Sequence, residues 1–380
     1  MKLCVVAGEA SGDLHASGVL REIRRLDPSA EAFGFGGDLL AGEGMRILHH
    51  VRELGIVGLF NVIRHLGRFR IIFRELMNEI RREKPDLVLL VDYPDFNLRV
   101  AAQVKALGIP VVYFISPQVW AWRRRRVHAI ARNVNHMLVL FPFEADFYRR
   151  HGVDATYVGH PLVEQLENVR RPAGIPDPLE PVRIALMPGS RRMEIESLLP
   201  EMLDAVAVMS DNRKVAPFII RAPTISEESI RAILARQQLD VRIVPQDGGR
   251  SLAQADIALS SSGTATLEAA IIGVPVVVMY RLNRPTFALA KVLVKVPHFS
   301  LVNIVAGKSI VPELIQGAVN GRRIAAAAEE LLQPERYRQV SRELERVRDL
   351  LGEKGSSMRA AEKIYKLYQE RGSGSPTFGS

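Results

Sequence analysis

The chain has 380 residues, 47% of them hydrophobic and 24% charged, and a formal net charge of +9. That length is large for one core, so two domains are expected, and the composition reads as soluble and globular. Cys4 is the only cysteine, which excludes an internal disulfide framework and a Cys-rich metal site, and no apolar run reaches the roughly 18 residues of a bilayer-spanning helix.

The opening Met1-Lys2-Leu3-Cys4-Val5-Val6-Ala7-Gly8-Glu9 reads as a strand. Its early charge is unlike a secretory leader, and the expected compartment is the cytoplasm. The positive charge points to an anionic partner: a phosphorylated substrate or an anionic membrane surface. Nucleic acid is disfavoured, because only 6% of residues are aromatic and no nucleic-acid module is visible.

Strand-like runs in the first half are Leu3–Ala7, Leu87–Val91, Val111–Ile115 and Met137–Phe141. In the second half they are Arg183–Met187, Phe218–Arg221, Val241–Val244, Ile257–Ser260 and Val274–Met279. Near-continuous Val, Ile and Leu between helical patterns predicts an α/β fold with parallel sheets covered on both faces. The Pro-rich segment 171–181 predicts an extended linker between domains at 1–170 and 182–350. Residues 322–370 read as helical, and 372–380 as a flexible tail. Two such sheets facing one another make a cleft, with ligands beyond the C-terminal ends of the strands.

The residues after each strand are therefore the site candidates. Gly8-Glu9-Ala10-Ser11-Gly12-Asp13 offers close backbone approach and a helix N-terminus, or capping alone. Asp92-Tyr93-Pro94-Asp95-Phe96-Asn97 places two carboxylates at a strand end. One can serve as general base toward a sugar hydroxyl and the other can cap the next helix. Asp95 has the better cap position, which leaves Asp92 as the base candidate. Trp120-Ala121-Trp122-Arg123 holds both tryptophans of the chain and opens a run of four arginines. Such a segment can pack on a sugar or acyl chain and pair with phosphate, or form an aromatic plug.

In the second half, Gly189-Ser190-Arg191 ends a strand and enters a helix, which suits a diphosphate. Arg191 is the expected diphosphate contact and Ser190 a further donor. Ser262-Gly263-Thr264-Ala265-Thr266-Leu267-Glu268 has the same strand-to-helix setting. Its small residues admit phosphate, and Glu268 can accept from ribose hydroxyls. Capping explains helix initiation there but not the glycine after three serines.

Leu59, Ile63, Leu66, Phe69, Phe73, Leu76 and Ile80 recur at helical spacing among Arg64, Arg68, Arg70, Arg74, Arg81 and Arg82. They predict a basic amphipathic helix, or a pair broken near Gly67. Phe60, Ile71 and Ile72 lie off the main stripe and are expected to offer apolar surface to lipid. The stretch from Arg281 to Lys295 reads similarly.

Taken together, these motifs resemble the bacterial lipid-A-disaccharide synthases, inverting glycosyltransferases of family 19. Phe141-Pro142-Phe143-Glu144, Val158-Gly159-His160-Pro161 and Ser300-Leu301-Val302-Asn303 extend the resemblance over nearly the whole chain. It implies two Rossmann-like domains of the GT-B architecture, with the last helix, 351–371, packing back on the first domain. It implies transfer of 2,3-diacylglucosamine from UDP-2,3-diacylglucosamine to 2,3-diacylglucosamine 1-phosphate (lipid X), giving a β-1,6-linked disaccharide 1-phosphate and UDP. No metal or other cofactor is implied. Asp92 matches the base; Arg191 matches the essential donor-site arginine; Asn303 matches a further functional position. Gly8, Glu9, Ser11, Gly12, Asp95, Trp120, Arg123 and Asn303 would then line the donor and acceptor cleft. The implied location is the cytoplasmic face of the inner membrane, as monomer or homodimer. Two alternatives are another GT-B enzyme, such as a UDP-sugar 2-epimerase or an N-acetylglucosaminyltransferase, and a non-catalytic nucleotide- or lipid-binding adaptor.

Overall fold

Leu87-Val88-Leu89-Leu90-Val91 is apolar throughout and fully buried, as expected of a strand with helices on both faces. The computed structural model describes residues 1–55, 62–121, 126–237, 240–283, 287 and 297–372. It divides into one unit of Met1–Pro161 with the chain from Glu353 onward, and another of Leu162–Gly352.

The first unit holds β1 (Lys2–Ala7), β2 (Glu31–Gly36), β3 (Arg46–His50), β4 (Leu87–Val91), β5 (Val111–Phe114), β6 (His136–Val139) and β7 (Ala155–Tyr157). Their order is β3-β2-β1-β4-β5-β6-β7, with every neighbouring pair parallel. The chain runs outward in one direction from β1 and in the other from β4. Connections leave their C-terminal ends toward opposite sides, which opens a crevice there. Gly8-Glu9 follows β1 and Asp92-Tyr93 follows β4, so the two turns meet at that crevice.

The second unit holds β8 (Val182–Met187), β9 (Val215–Arg221), β10 (Arg242–Pro245), β11 (Ile257–Ser261), β12 (Val276–Tyr280) and β13 (Glu313–Ile315). The order β10-β9-β8-β11-β12-β13 reverses in the same way between β8 and β11, again all parallel. Gly189-Ser190-Arg191 and Ser262-Gly263 occupy the two sides of this second crevice.

Strands β2, β3, β7 and β13 were not expected from the sequence. Strand β2 carries Gly34 at φ +140°, where a Cβ would overlap the carbonyl of Val5. The other three lie at sheet edges and are short or polar, as edges commonly are. Residues 162–170, expected in the first domain, belong to the second unit. Leu166 is buried, and the Arg171 N–H donates to the carbonyl of Ile272 at 2.9 Å.

The helix Val62–Glu83 runs unbroken through Gly67. Leu76, Met77 and Ile80 are buried in the core of the first unit, with Phe69 and Phe73 packed against it. Ile72, expected at the surface, is buried there too, whereas Ile71 is 48% exposed. The side chains of residues 59–66, and residues 284–286 and 288–296, lie outside the described residues, as do 373–380. The helix Ser356–Gly372 packs on the helix Ala10–Leu26 of the first unit. Arg359 donates to the Val158 carbonyl at 2.8 Å, and Arg371 to those of Asp86 and Gly108. No helix is long and apolar enough to cross a membrane among the described residues.

Candidate active site

In the first unit the site is built around a strained turn. Asp92 and Tyr93 both adopt left-handed backbone, at φ 45° and 51°. Such residues cost on the order of 1–3 kcal/mol each and persist only where neighbours over-determine them. Here the Asp92 N–H donates to Phe114 at 3.0 Å. Its carbonyl accepts from the Tyr113 hydroxyl at 2.6 Å and the Asn97 amide at 2.7 Å. Asn97 and Tyr113 are fully buried. The Tyr93 ring lies where a Cβ on Gly8 would be, so Gly8 makes room for Tyr93.

This turn leaves the Asp92 carboxyl half-buried. Burial, reinforced by the charge of Glu9, pushes it up to about 6. Glu9 is exposed and opens the helix Ala10–Leu26, with Ser11 exposed in its first turn. Gly12 is buried against Ala7 and Val91. Asp13 is structural: its carboxylate accepts from the N–H groups of Gly37, Leu39 and Leu40 at 2.7–3.2 Å. Asp95 follows Pro94 within the helix Pro94–Ala106, whose N-cap is Tyr93, and it pairs with Arg126. It is therefore not the helix cap.

In the second unit the residues around the crevice line a cavity of about 540 Å³, including Met187, Gly189, Ser190, Arg191, Glu194, Gln246, Ser262, Gly263, Thr264 and Glu268. That volume suits a small-molecule site. Two helix N-termini border it, those of Arg192–Ser210 and Thr264–Ile272. The first N–H groups of a helix have no intrahelical acceptor and attract anions. Gly263 has φ +152° and ψ −160°, and the position of a Cβ there is open space. Glu268 is buried and accepts from Gln246 at 3.5 Å. Burial raises its carboxyl, as does the charge of Asp247. Among the described residues, no three His, Cys, Asp or Glu side chains group as metal ligands.

A family profile described as lipid-A-disaccharide synthetase matches residues 3–366. A lipid-A-disaccharide synthase of Anaeromyxobacter sp. (strain K) is 42% identical over 371 residues, 96% of each chain. That of Myxococcus xanthus is 39% identical over 372 residues, 96% of this chain and 97% of the other. The chain belongs to the lipid-A-disaccharide synthase family. Membership makes it a glycosyltransferase.

The solved structures it resembles share the GT-B fold. The glycotransferase of kitacinnamycin gives a TM-score of 0.64 at 18% identity, covering 96% of this chain and 98% of the other. UDP-GlcNAc 2-epimerase from Neisseria meningitidis, bound to UDP-GlcNAc, gives 0.61 at 13%, covering 97% and 100%. MurG from Acinetobacter baumannii gives 0.57 at 14%, covering 97% and 99%.

Several motif residues of this synthase-family chain frame the site rather than face it. Trp120 is only 7% exposed. Its indole N–H donates to Glu144 at 3.0 Å and its ring meets Phe143 edge-on at 5.1 Å. A sugar-stacking platform needs one open ring face, and a side chain this enclosed offers none, so Trp120 is the aromatic plug. Arg123 lies outside the described residues, with Trp122, Arg124 and Arg125. Thr266 is fully buried below the cavity and turns its hydroxyl to the Gly263 carbonyl at 2.8 Å.

Asn303 is also fully buried. Its amide donates to Val311 and Glu313, both at 2.9 Å, and its oxygen accepts from Ile310 and Val311 at 2.9 and 3.1 Å. All four bonding positions are used, so it contacts no ligand. Glu313 also accepts from the N–H groups of Phe299 and Ser300 and from the Ser300 hydroxyl. The Phe299 carbonyl in turn accepts from the Ser262 hydroxyl at 3.1 Å. Asn303 thus acts on the cavity through Ser262. Glu194, Gln246 and Glu313 escaped the sequence reading; an acid three residues past a Gly-Ser-Arg turn was the available signal for Glu194.

Gly263→Ala puts a Cβ on backbone that is essentially restricted to glycine, and a loss of about 1–3 kcal/mol is expected. Urea unfolding of the two proteins measures it; an unchanged midpoint would show that this backbone is not held in that conformation.

Proposed function

We propose that the chain transfers 2,3-diacylglucosamine from UDP-2,3-diacylglucosamine to the 6-hydroxyl of lipid X, releasing UDP. The observation that carries the chemistry is the Asp92 carboxyl held at the end of β4 by a left-handed turn that Tyr113 and Asn97 bond; burial there pushes it up to about 6, and a general base works best with a pKa near the operating pH. Asp92 takes the hydroxyl proton as that oxygen attacks the anomeric carbon of the donor. The glycosidic bond to UDP breaks on the opposite face, through an oxocarbenium-like transition state, with inversion to a β-1,6 link.

The uracil nucleotide occupies the second unit's cavity, with Glu268 toward the ribose hydroxyls. Arg191, Ser190 and the two helix N-termini meet the diphosphate, which gains charge as the bond breaks. These donors, and no metal, meet that charge. Acylated substrates also imply a lipid surface. Arg68, Arg70, Arg74 and Ile71 are exposed on the helix Val62–Glu83, a combination that favours an anionic membrane. The cytoplasmic face of the inner membrane is the surface where such a substrate would be met.

The two acylated substrates together should yield disaccharide 1-phosphate and UDP by mass spectrometry; no turnover by folded protein with any acyl length would overturn the assignment. Asp92→Asn should lower kcat about 10²- to 10⁴-fold with UDP affinity retained. The deprotonated carboxylate is the active form, so kcat/KM should fall about tenfold per pH unit below about 6 and level off above it. Retained activity in the variant, or the same limb in its pH profile, would remove Asp92 from the role. Cosedimentation with anionic vesicles should be strong at low salt and weaken as salt is raised; no binding at low salt overturns the membrane surface.

A further inference from the structure

The diphosphate cradle of the second unit already contains an anion of the protein's own. The Glu194 carboxylate accepts from the N–H groups of Ser190 and Arg191 at 3.0 and 3.2 Å. Its other oxygen pairs with the Arg191 guanidinium at 3.2 Å. Two backbone donors beside a helix N-terminus and an arginine form the same donor set that a phosphate would use. Gly189, at φ +120°, is shaped to admit this carboxylate: a Cβ there would overlap the Glu194 side chain. The Arg191 side chain is otherwise 81% exposed, so its direction toward the cradle depends on its anionic partner.

We infer that Glu194 competes with the diphosphate of the donor and product for the Ser190 and Arg191 donors. A nucleoside diphosphate takes these groups only as Glu194 gives them up, and Glu194 reclaims them as UDP departs. The inference rests on the reading of this cavity as the UDP site. Its consequence is that the residue which caps the helix also weakens product binding, and so favours release of UDP. A simple capping glutamate would instead leave UDP affinity unchanged, or support it by holding Arg191 in place.

The test is calorimetric titration of the full chain with UDP. Glu194→Gln keeps an acceptor for the helix N–H groups but removes the charge, and should tighten UDP by about fivefold or more. UDP should become a stronger product inhibitor by a similar factor. Glu194→Ala, checked for folding by circular dichroism, should tighten UDP at least as far. Glu196→Gln serves as the charge control, because Glu196 pairs with Arg192 at 2.7 Å and touches none of the cradle donors. It should leave UDP affinity within about twofold. Unchanged or weaker UDP binding in both Glu194 variants overturns the competition. Equal tightening by Glu196→Gln also overturns it, by showing a general charge effect. If UDP binds neither the parent chain nor any variant, the donor-site reading falls, and the competition with it.

Discussion

A carboxylate directly after a buried parallel strand would normally relax into the next helix and cap it. Asp92 does not, because it and Tyr93 are held in left-handed backbone. The carbonyl of Asp92 is bonded by Tyr113 and Asn97, and its N–H is bonded to Phe114. At roughly 1–3 kcal/mol for each strained residue, three hydrogen bonds to buried partners are a commensurate restraint. The strain separates the two acids of the motif: Asp92 stays at the strand end, while Asp95 rides out on the helix to Arg126. At the strand end, burial and the field of Glu9 raise the Asp92 carboxyl.

The second unit uses the same sheet reversal for the opposite electrostatic purpose. There, two helix N-termini and Arg191 concentrate positive potential around a cavity of about 540 Å³. Two acids sit within this anion-attracting surface. Glu268 is buried at the far side of its turn from the small residues, where Gln246 bonds it. A neutral hydroxyl is a suitable partner for such a carboxylate, whereas a phosphate would be repelled. Glu194 instead lies at the helix N-terminus itself, on the N–H groups of Ser190 and Arg191. The positions of the two acids thus polarise the cavity, with a hydroxyl-accepting end and an anion-accepting end.

The sheets were legible because buried parallel strands read as unbroken Val, Ile and Leu runs, as in Leu87–Val91. Strands β3, β7 and β13 were not, because short edge strands lack that signal. Position after a strand singles out Ser190, Arg191, Ser262, Gly263, Thr264 and Glu268, and all six line one cavity. It could not reveal side-chain direction. Thr266 lies two residues beyond Thr264 in the same helix yet is fully buried and outside the cavity lining, with its hydroxyl on the Gly263 carbonyl. Nor could residue type settle Trp120, since a rare aromatic suits a ligand platform and a core plug equally. Its partner Glu144, 24 positions away, decided the matter.

Motif membership and ligand contact are therefore different properties here. Gly8, Asp13, Trp120, Thr266 and Asn303 all belong to recognisable motifs, and each spends its chemistry on the protein. Gly8 yields space to Tyr93. Asp13 fixes the N–H groups after β2, and Asn303 joins Glu313 in fixing the 299–311 segment. Removing such a residue leaves buried donors or acceptors unpaired, at about 1–3 kcal/mol for each group. Any activity lost with it arrives through displaced neighbours and is accompanied by lost stability. Asp92 and Arg191 differ in kind, because their side-chain groups are not consumed by the fold: the Asp92 backbone bears the restraint while its carboxyl is raised, and the Arg191 guanidinium pairs with Glu194 and is otherwise exposed. A change of charge at either side chain leaves the backbone restraints of the frame in place.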